Sequence, residues 1–332
     1  MANGEIVSIV HHVKIESNHS DFTILQLCCR AHLQGEGGLL PALLTSFRRA
    51  ARWIILMATL ALFRLPIPTR ELFMRIKQSI CYPLFMPKEM NLETLVQIGA
   101  EIGYAAIELW GRPPEFTEIM ALAKRYNLAV ASMSGHLSLP DGLNKRSNHD
   151  RIEAELKTSI DLAAEHGIPG VICFSGNRQP HMSEIEAIEA TADGLRRIAP
   201  YAEQKGVNLN LELLNSKVDH PGYQCDHTAW GVAVCEKVNS PRVKLLYDIY
   251  HMQIMEGDVI RTLRENIKWI GHFHTAGNPG RNDLDDTQEM NYAGICRAIA
   301  ATGYEYYVGH EFRPLGDPIE ALHQTFAICN QG

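Results

Sequence analysis

Residues 207–248 read VNLNLELLNSKVDHPGYQCDHTAWGVAVCEKVNSPRVKLLYD, and this stretch decides the fold class. It begins with an apolar run, continues through an amphipathic segment at Ala229–Val238 and ends in a second apolar run at 243–248. Short apolar runs are typical of buried strands, and the segment between them has the pattern of a helix. Strands that alternate with helices pair in parallel through right-handed crossovers. The stretch therefore predicts a β–α–β unit.

The same alternation extends in both directions from Ile76 onward. The apolar runs that we interpret as strands are 76–82, 105–110, 128–133, 170–175, 207–214, 243–248, 267–274 and 304–312. Eight strand–helix units match an α/β fold of the (β/α)8 TIM-barrel type in number and size. A doubly wound open sheet is the alternative, but no G-x-G-x-x-G or Walker A sequence follows any of the runs.

The segments between the runs carry helix signals. We predict helices at Leu92–Ile102, Glu115–Tyr126, Arg151–His166, Glu184–Lys205, Ala229–Val238 and Tyr292–Ala301. Glycine often follows the last turn of a helix because it adopts the left-handed conformation without strain. The glycines that we expect in this role are Gly103, Gly167, Gly206 and Gly303.

Residues 1–73 differ from the rest and are treated as an N-terminal extension of a barrel domain at 74–332. Their apolar run, 53–63, follows three arginines but is shorter than the roughly 20 residues that span a bilayer. An export signal and an amphipathic helix on a membrane or on the barrel are two interpretations. We favour a third, translation from upstream of a true start at Met74, because a strand begins there at once and the barrel needs nothing before it.

Composition narrows the function classes. The formal charge is −7, with the acidic excess in the barrel domain, and this disfavours a nucleic-acid partner. The eight cysteines form no C-x-x-C pair, which favours reduced, buried thiols. We therefore expect a cytoplasmic protein with a small-molecule substrate and no membrane association, unless residues 1–73 direct export.

Metal-capable side chains stand at the carboxyl ends of four consecutive predicted strands, where TIM barrels carry their active sites. They are Glu212, Asp248, His274 and Glu311. A single acid at a strand end is often only solvated, but Glu212 stands among apolar residues, where an unpaired carboxylate is costly to bury. Three carboxylates and one imidazole predict one divalent cation, Mn²⁺ or Mg²⁺, with Co²⁺ as an alternative.

Two longer motifs make a family resemblance specific. DIYHMQIMEGD at 248–258 resembles hydroxypyruvate isomerases, as does GHFHTAGNPGR at 271–281 followed by EMNY at 289–292. From Met74 the chain looks like the xylose-isomerase-like TIM-barrel superfamily of sugar isomerases and epimerases. The resemblance implies that the four residues above bind the metal. His274 matches a glutamine in some hydroxypyruvate isomerases and a histidine in ketose 3-epimerases.

The resemblance also implies an isomerase mechanism. The cation would bind an α-hydroxycarbonyl substrate, and Glu212 and Glu311 would act as the catalytic proton-transfer pair through a cis-enediolate. The best candidate reaction converts hydroxypyruvate to tartronate semialdehyde. His251 is expected to polarise the substrate carbonyl and Arg281 to bind a substrate carboxylate. His136 is a further candidate for substrate binding.

Other residues carry weaker expectations. Glu108 could be a pocket wall or an ion-pair partner of a neighbouring strand, and Trp110 is expected to pack. Asn215 and Lys217 could touch the substrate or simply close their loop. We expect His272 and His310 to be structural, because alternation along their strands should turn them toward the helices.

Several alternatives remain at this stage. Within the superfamily they are a ketose 3-epimerase, another small-sugar isomerase and a dehydratase. An AP endonuclease would need three zinc ions and extra histidines, and no histidine ends the fourth predicted strand, CFSG at 173–176. A non-catalytic sugar-binding barrel is the other distant alternative. A homo-oligomer is expected from the resemblance alone.

Overall fold

The computed structural model describes residues 76–331, and the eight strands that the sequence predicts are all present there. They are β1 (Lys77–Cys81), β2 (Ala106–Glu108), β3 (Ala129–Ser134), β4 (Gly170–Cys173), β5 (Asn208–Leu213), β6 (Val243–Asp248), β7 (Ile270–Thr275) and β8 (Tyr307–His310). The expectations for residues 1–73 lie outside the described residues.

The strands form a closed barrel in sequence order. Every neighbouring pair is parallel, and β8 closes the barrel on β1 with Gln78 opposite Val308. Strands β4, β5 and β7 are buried along their whole length, as expected for strands covered by helices on one face and by barrel interior on the other. The prediction of a (β/α)8 barrel is confirmed.

Nine α-helices lie within residues 76–331. They are α1 (Leu92–Ile102), α2 (Phe116–Arg125), α3 (His149–His166), α4 (Glu184–Lys205), α5 (Thr228–Val238), α6 (Ile249–Met255), α7 (Val259–Asn266), α8 (Tyr292–Ala300) and α9 (Pro318–Cys329). Short 3₁₀ turns stand at Tyr82–Leu84, Arg146–Asn148 and Ile267–Trp269. None of the helices in this part of the chain is both long and apolar enough to cross a membrane.

Glycine ends three helices as predicted. Gly103, Gly167 and Gly206 take the left-handed conformation after α1, α3 and α4. The fourth expectation was wrong in detail, because α8 ends at Ala300 with Ala301 as its cap, and Gly303 has a positive φ two residues further on. The helix stops before the glycine, which serves the turn into β8.

The sixth unit departs from the predicted pattern in a way that matters for the site. Helix α6 begins directly after β6, and Asp248 is both the last residue of the strand and the N-cap of the helix. One Asp248 carboxylate oxygen accepts a hydrogen bond from the backbone N–H of His251 at 3.2 Å. The strand-to-helix turn therefore holds Asp248 and His251 close together at the carboxyl end of the barrel.

Candidate active site

Four metal-capable side chains converge where the strands end. Glu212, Asp248, His274 and Glu311 each offer a ligand atom, and these atoms lie within 4.8 Å of one another. All four residues are buried. The sequence placed them on separate strands, and the structure brings them into one cluster, which we call the acidic cluster.

Strand register explains this convergence. Asp248 lies directly opposite His274 across the β6–β7 ladder, and His274 lies opposite Gly309 across the β7–β8 ladder. Glu212 pairs with Leu246, two residues before Asp248. Side chains two residues apart share a face of a strand, so Glu212 and Asp248 both project into the barrel.

His274 presents one ring nitrogen to the three acids of the cluster. Its Nδ1 lies 3.4 Å from Glu311 Oε2, 3.6 Å from Glu212 Oε1 and 3.9 Å from Asp248 Oδ2. Within residues 76–331 this buried nitrogen has no hydrogen-bond partner. Its other nitrogen, Nε2, donates to Glu108 Oε2 at 3.0 Å. An imidazole held in this way by a carboxylate is the usual arrangement of a histidine that binds a metal through its free nitrogen.

Glu108 contacts His274 of the acidic cluster, and its role was the one that the sequence defined least. It accepts a hydrogen bond from Ser79, and Nε2 of His272 lies 3.0 Å from its Oε2. Burial raises the pKa of Glu108, but the imidazoles of His272 and His274 outweigh burial and hold that pKa below its usual range. Its partners lie across the barrel on β7, not only on a neighbouring strand. The signal for this role in the sequence was an acidic residue, Glu108, inside an apolar run.

The expectation that His272 faces the helices was wrong. His272 and His274 are two residues apart on β7, so alternation places them on the same face. Their rings lie 5.0 Å apart, and both reach Glu108 inside the barrel. His310, by contrast, hydrogen-bonds Gln78 and Thr275, and its ring contacts Tyr104 on the helix side.

The electrostatics of the acidic cluster favour an added positive charge. Burial raises the pKa of Asp248, and the carboxylates of Glu311 and Glu212 raise it further, against the charges of Arg281 and His274. Burial lowers the pKa of His274, but the nearby carboxylates outweigh burial and raise it well above its usual value. The raised pKa keeps a proton on Nδ1 of His274, and a cation that binds at Nδ1 would displace this proton. The donor set therefore fits a hard divalent cation.

A cavity of about 300 Å³ adjoins the acidic cluster. Its lining includes Glu212, Glu311, Arg281, His136, Trp110 and Phe174. Arg281 forms an ion pair with Glu311, and its guanidinium packs 5.8 Å from the centre of the Tyr250 ring. The residue Trp110 is 48% exposed rather than packed, and its indole N–H donates to Glu311 at 2.9 Å. Cluster and cavity therefore share Glu212 and Glu311.

Of the three remaining candidates, His136 lines the cavity, whereas His251 and Lys217 are not among its lining residues. His136 lines the cavity, accepts the backbone N–H of Phe174 at 2.9 Å, and has its pKa lowered to about 4 by burial. His251 is buried with its Nε2 3.5 Å from Asp248. Lys217 donates to the carbonyls of Ile254 and Met255 at the end of α6, so it closes its loop.

His220 also lines the cavity, and the sequence analysis overlooked it. It stands in the loop after β5, and its ring lies 5.3 Å from the ring of His251. No motif marks a histidine in a long loop as a pocket residue, because the fold of the loop decides where the side chain lies.

TIM barrels bind their ligands at the carboxyl ends of their strands, and in this barrel that face carries a donor set for a divalent cation beside a cavity. The class is therefore a TIM barrel with a candidate metal centre. The chain belongs to the xylose isomerase-like TIM barrel family, which matches residues 96–327. The family prediction is confirmed.

Individual relatives give more specific likenesses. The 2-oxo-tetronate isomerase of Cupriavidus necator is 35% identical over an aligned length of 172 residues, and the match covers 49% of this chain and 63% of that protein. The hydroxypyruvate isomerase of Escherichia coli is 32% identical over 157 residues, which are 47% of this chain and 60% of that protein. The matched part is therefore less than two thirds of either relative.

A solved structure agrees in fold. AP endonuclease, family 2, from Brucella melitensis superposes with a TM-score of 0.67 at 23% identity, covering 76% of this chain and 98% of that one. At this identity the likeness concerns the fold alone.

Proposed function

We propose that this protein is a metal-dependent isomerase that converts hydroxypyruvate to tartronate semialdehyde through a cis-enediolate. The observation that carries the proposal is the shared position of Glu212 and Glu311, which belong both to the acidic cluster and to the cavity. A substrate in the cavity can therefore contact two carboxylates beside the cation site. The names of the relatives above agree with an isomerase of a small oxo acid.

The proposed residues divide the chemistry. Glu212, Asp248, His274 and Glu311 hold the cation, Mn²⁺ or Mg²⁺, which supplies Lewis acidity when bound. One of the two glutamates passes the proton of the substrate hydroxyl group to the carbonyl oxygen, and the other removes the carbon-bound proton and returns it to the neighbouring carbon. Because both face one cavity, the proton can move within it. Burial of the cluster excludes water that would compete for that proton.

Arg281 and two histidines would orient the substrate. The guanidinium of Arg281 lies at the cavity beside Glu311, where it can bind a substrate carboxylate with two hydrogen bonds. His251 would donate to the substrate carbonyl oxygen, and His136 would contact the far end of the substrate. A carboxylate-binding arginine suits hydroxypyruvate and would have no partner on a neutral ketohexose.

The cavity volume favours a second candidate with a larger substrate. Hydroxypyruvate has seven non-hydrogen atoms, whereas about 300 Å³ is the volume of roughly ten water molecules in the liquid. A four-carbon 2-oxo acid, or a ketose in a 3-epimerase reaction, would fill more of this space. Both use the same proton transfer next to a carbonyl. They therefore form the alternative to hydroxypyruvate.

We also propose the kind of partner that the protein binds and its location in the cell. The net charge of −7 favours a small-molecule substrate over nucleic acid. The six described cysteines that are free are all buried, which suits a reducing cytoplasm. Assembly into a homo-oligomer, and a separate N-terminal extension at 1–73, stay predictions.

Proton exchange in D₂O tests the proposed function. The protein with Mg²⁺ is incubated with hydroxypyruvate, with a four-carbon 2-oxo acid and with ketoses, and deuterium incorporation is followed by NMR. We expect deuterium in hydroxypyruvate, with tartronate semialdehyde appearing, and a loss of at least about 100-fold in Glu311→Gln because a proton-transfer group is gone. Glu115→Gln, on the exposed surface, is the matched control.

The other outcomes are equally decisive. Exchange at C3 of a ketose without exchange in hydroxypyruvate would reassign the enzyme to the epimerases. Exchange in no substrate, with or without Mg²⁺, would refute the proposed isomerase.

A further inference from the structure

Asn215, in the loop directly after β5, has an orientation that its neighbours determine. It is fully buried, and its side-chain oxygen accepts the backbone N–H groups of Val218 and Asp219, both at 2.9 Å. A backbone N–H can only donate. The oxygen of the amide must therefore face these two groups, and the NH₂ group must face the other way.

The NH₂ group faces two acceptors. It lies 2.5 Å from a carboxylate oxygen of Asp219 and 2.6 Å from Nδ1 of His251. Because an amide NH₂ has no lone pair to offer, Nδ1 must accept this hydrogen bond. A ring nitrogen that accepts a hydrogen bond carries no proton, so the ring is in its neutral form. A neutral ring that accepts at Nδ1 carries its proton on Nε2.

The Nε2–H group of His251 can donate a hydrogen bond to a ligand. The atom is buried and has no hydrogen-bond partner within residues 76–331. Its nearest acid is Asp248 of the acidic cluster, at 3.5 Å. A buried donor without a partner costs free energy, and a substrate oxygen bound beside the cation site would satisfy it.

We propose that Asn215 is a positioning residue: it fixes His251 in the Nε2–H tautomer, so that the ring donates a hydrogen bond to the substrate carbonyl oxygen. The part of this inference that concerns the substrate rests on the proposed function. The part that concerns the tautomer rests only on the hydrogen bonds above. Asp219 stabilises this position of Asn215, because the carboxylate of Asp219 is itself held by a hydrogen bond that it accepts from the hydroxyl group of Tyr250 at 2.9 Å.

The sharpest test exchanges the amide and the carboxylate. In the double variant Asn215→Asp/Asp219→Asn the new carboxylate faces Nδ1 of His251, and the net charge stays that of the native protein. Asp219→Asn alone is the matched control, because its side-chain oxygen still accepts from Asn215. The full-length protein, labelled with ¹⁵N in histidine and loaded with Mg²⁺, is examined by NMR, and the signals of His251 are assigned by their absence in His251→Asn.

We expect the Nε2–H tautomer in the native protein and in the control, and the Nδ1–H tautomer in the double variant. The double variant should lose about 100-fold in kcat, with an affinity for Mn²⁺ in calorimetry within twofold of the control. A native protein with the Nδ1–H tautomer would refute the inference without any variant. A flipped tautomer with native kcat would refute the role in catalysis. Should the native protein catalyse no exchange, the proposed function fails, while the tautomers still decide the role of Asn215.

Discussion

At the residue scale, the chemistry of the acidic cluster depends on which nitrogen of His274 is free. Glu108 holds one proton on Nε2, so Nδ1 is the nitrogen that faces the three acids and that can give up its proton to bind a cation. A carboxylate in this position also makes the imidazole a stronger ligand, because it stabilises the positive charge that the ring gains on binding a cation. Glu108 therefore acts on the cluster without belonging to it.

We predict that Glu108→Gln weakens cation binding by about 10- to 100-fold, as is typical when the carboxylate behind a metal-binding histidine is lost. The amide keeps the size of the side chain but removes the charge opposite His272 and His274. Titration with Mn²⁺ by calorimetry measures the effect. Glu115→Gln removes the same charge at the surface and should bind as the native protein does. Native affinity in Glu108→Gln would show that the negative charge next to His274 is dispensable.

At the scale of the element, the buried carboxylate of Glu108 also restricts which residue strand β8 can carry at position 309. Gly309 stands opposite His274 in the ladder, and the side chain of Glu108 passes over it. A Cβ atom added at Gly309 would lie 2.8 Å from Cδ of Glu108 and 3.0 Å from Cδ2 of His274. Real Cβ atoms do not make such short contacts, so β8 needs a residue without a side chain at this position.

We therefore predict that Gly309→Ala is destabilising by about 1–3 kcal/mol, the usual cost of an extra methyl group in a packed interior. It should also weaken cation binding, because Glu108 has to leave His274. Urea denaturation and Mn²⁺ titration measure the two effects. Gly316→Ala, where an added Cβ meets nothing within 4 Å, is the control for a glycine in the loop after the same strand. Equal midpoints for the two variants would contradict the packing argument.

At the scale of the whole molecule, the barrel closes within the described residues. Strand β1 begins at Lys77 and pairs with β2 on one side and with β8 on the other. Every strand of the barrel thus follows Met74. Each of the four acidic-cluster residues lies on β5 to β7 or directly after β8, within the described residues 76–331.

A chain that starts at Met74 should fold and bind Mn²⁺ like the full-length protein. Its Tm should lie within about 4 °C of the full-length value, the shift that about 1 kcal/mol produces in a domain of this size. A chain that starts at Pro83 lacks β1 and should fail to fold, because β2 and β8 would lose their shared partner. Scanning calorimetry compares the three. Insoluble protein from the Met74 start would show that the extension is part of the folding unit.

The sequence by itself determined the barrel and the four residues of the acidic cluster. Apolar runs and helix signals are local patterns, and the carboxyl end of each strand is a position along the chain, so both can be read without coordinates. The sequence also led to the family, through the motifs around Asp248 and Arg281.

Only the tertiary structure decided how the site is organised. The contact between Glu108 and His274 spans 166 positions of the chain, and that between Asn215 and His251 spans 36. The cavity beside Glu311 depends on loops from several strands. Hydrogen bonds and cavities of this kind depend on distances between residues far apart in sequence. Those distances are set by the closure and register of the barrel, which no local pattern encodes.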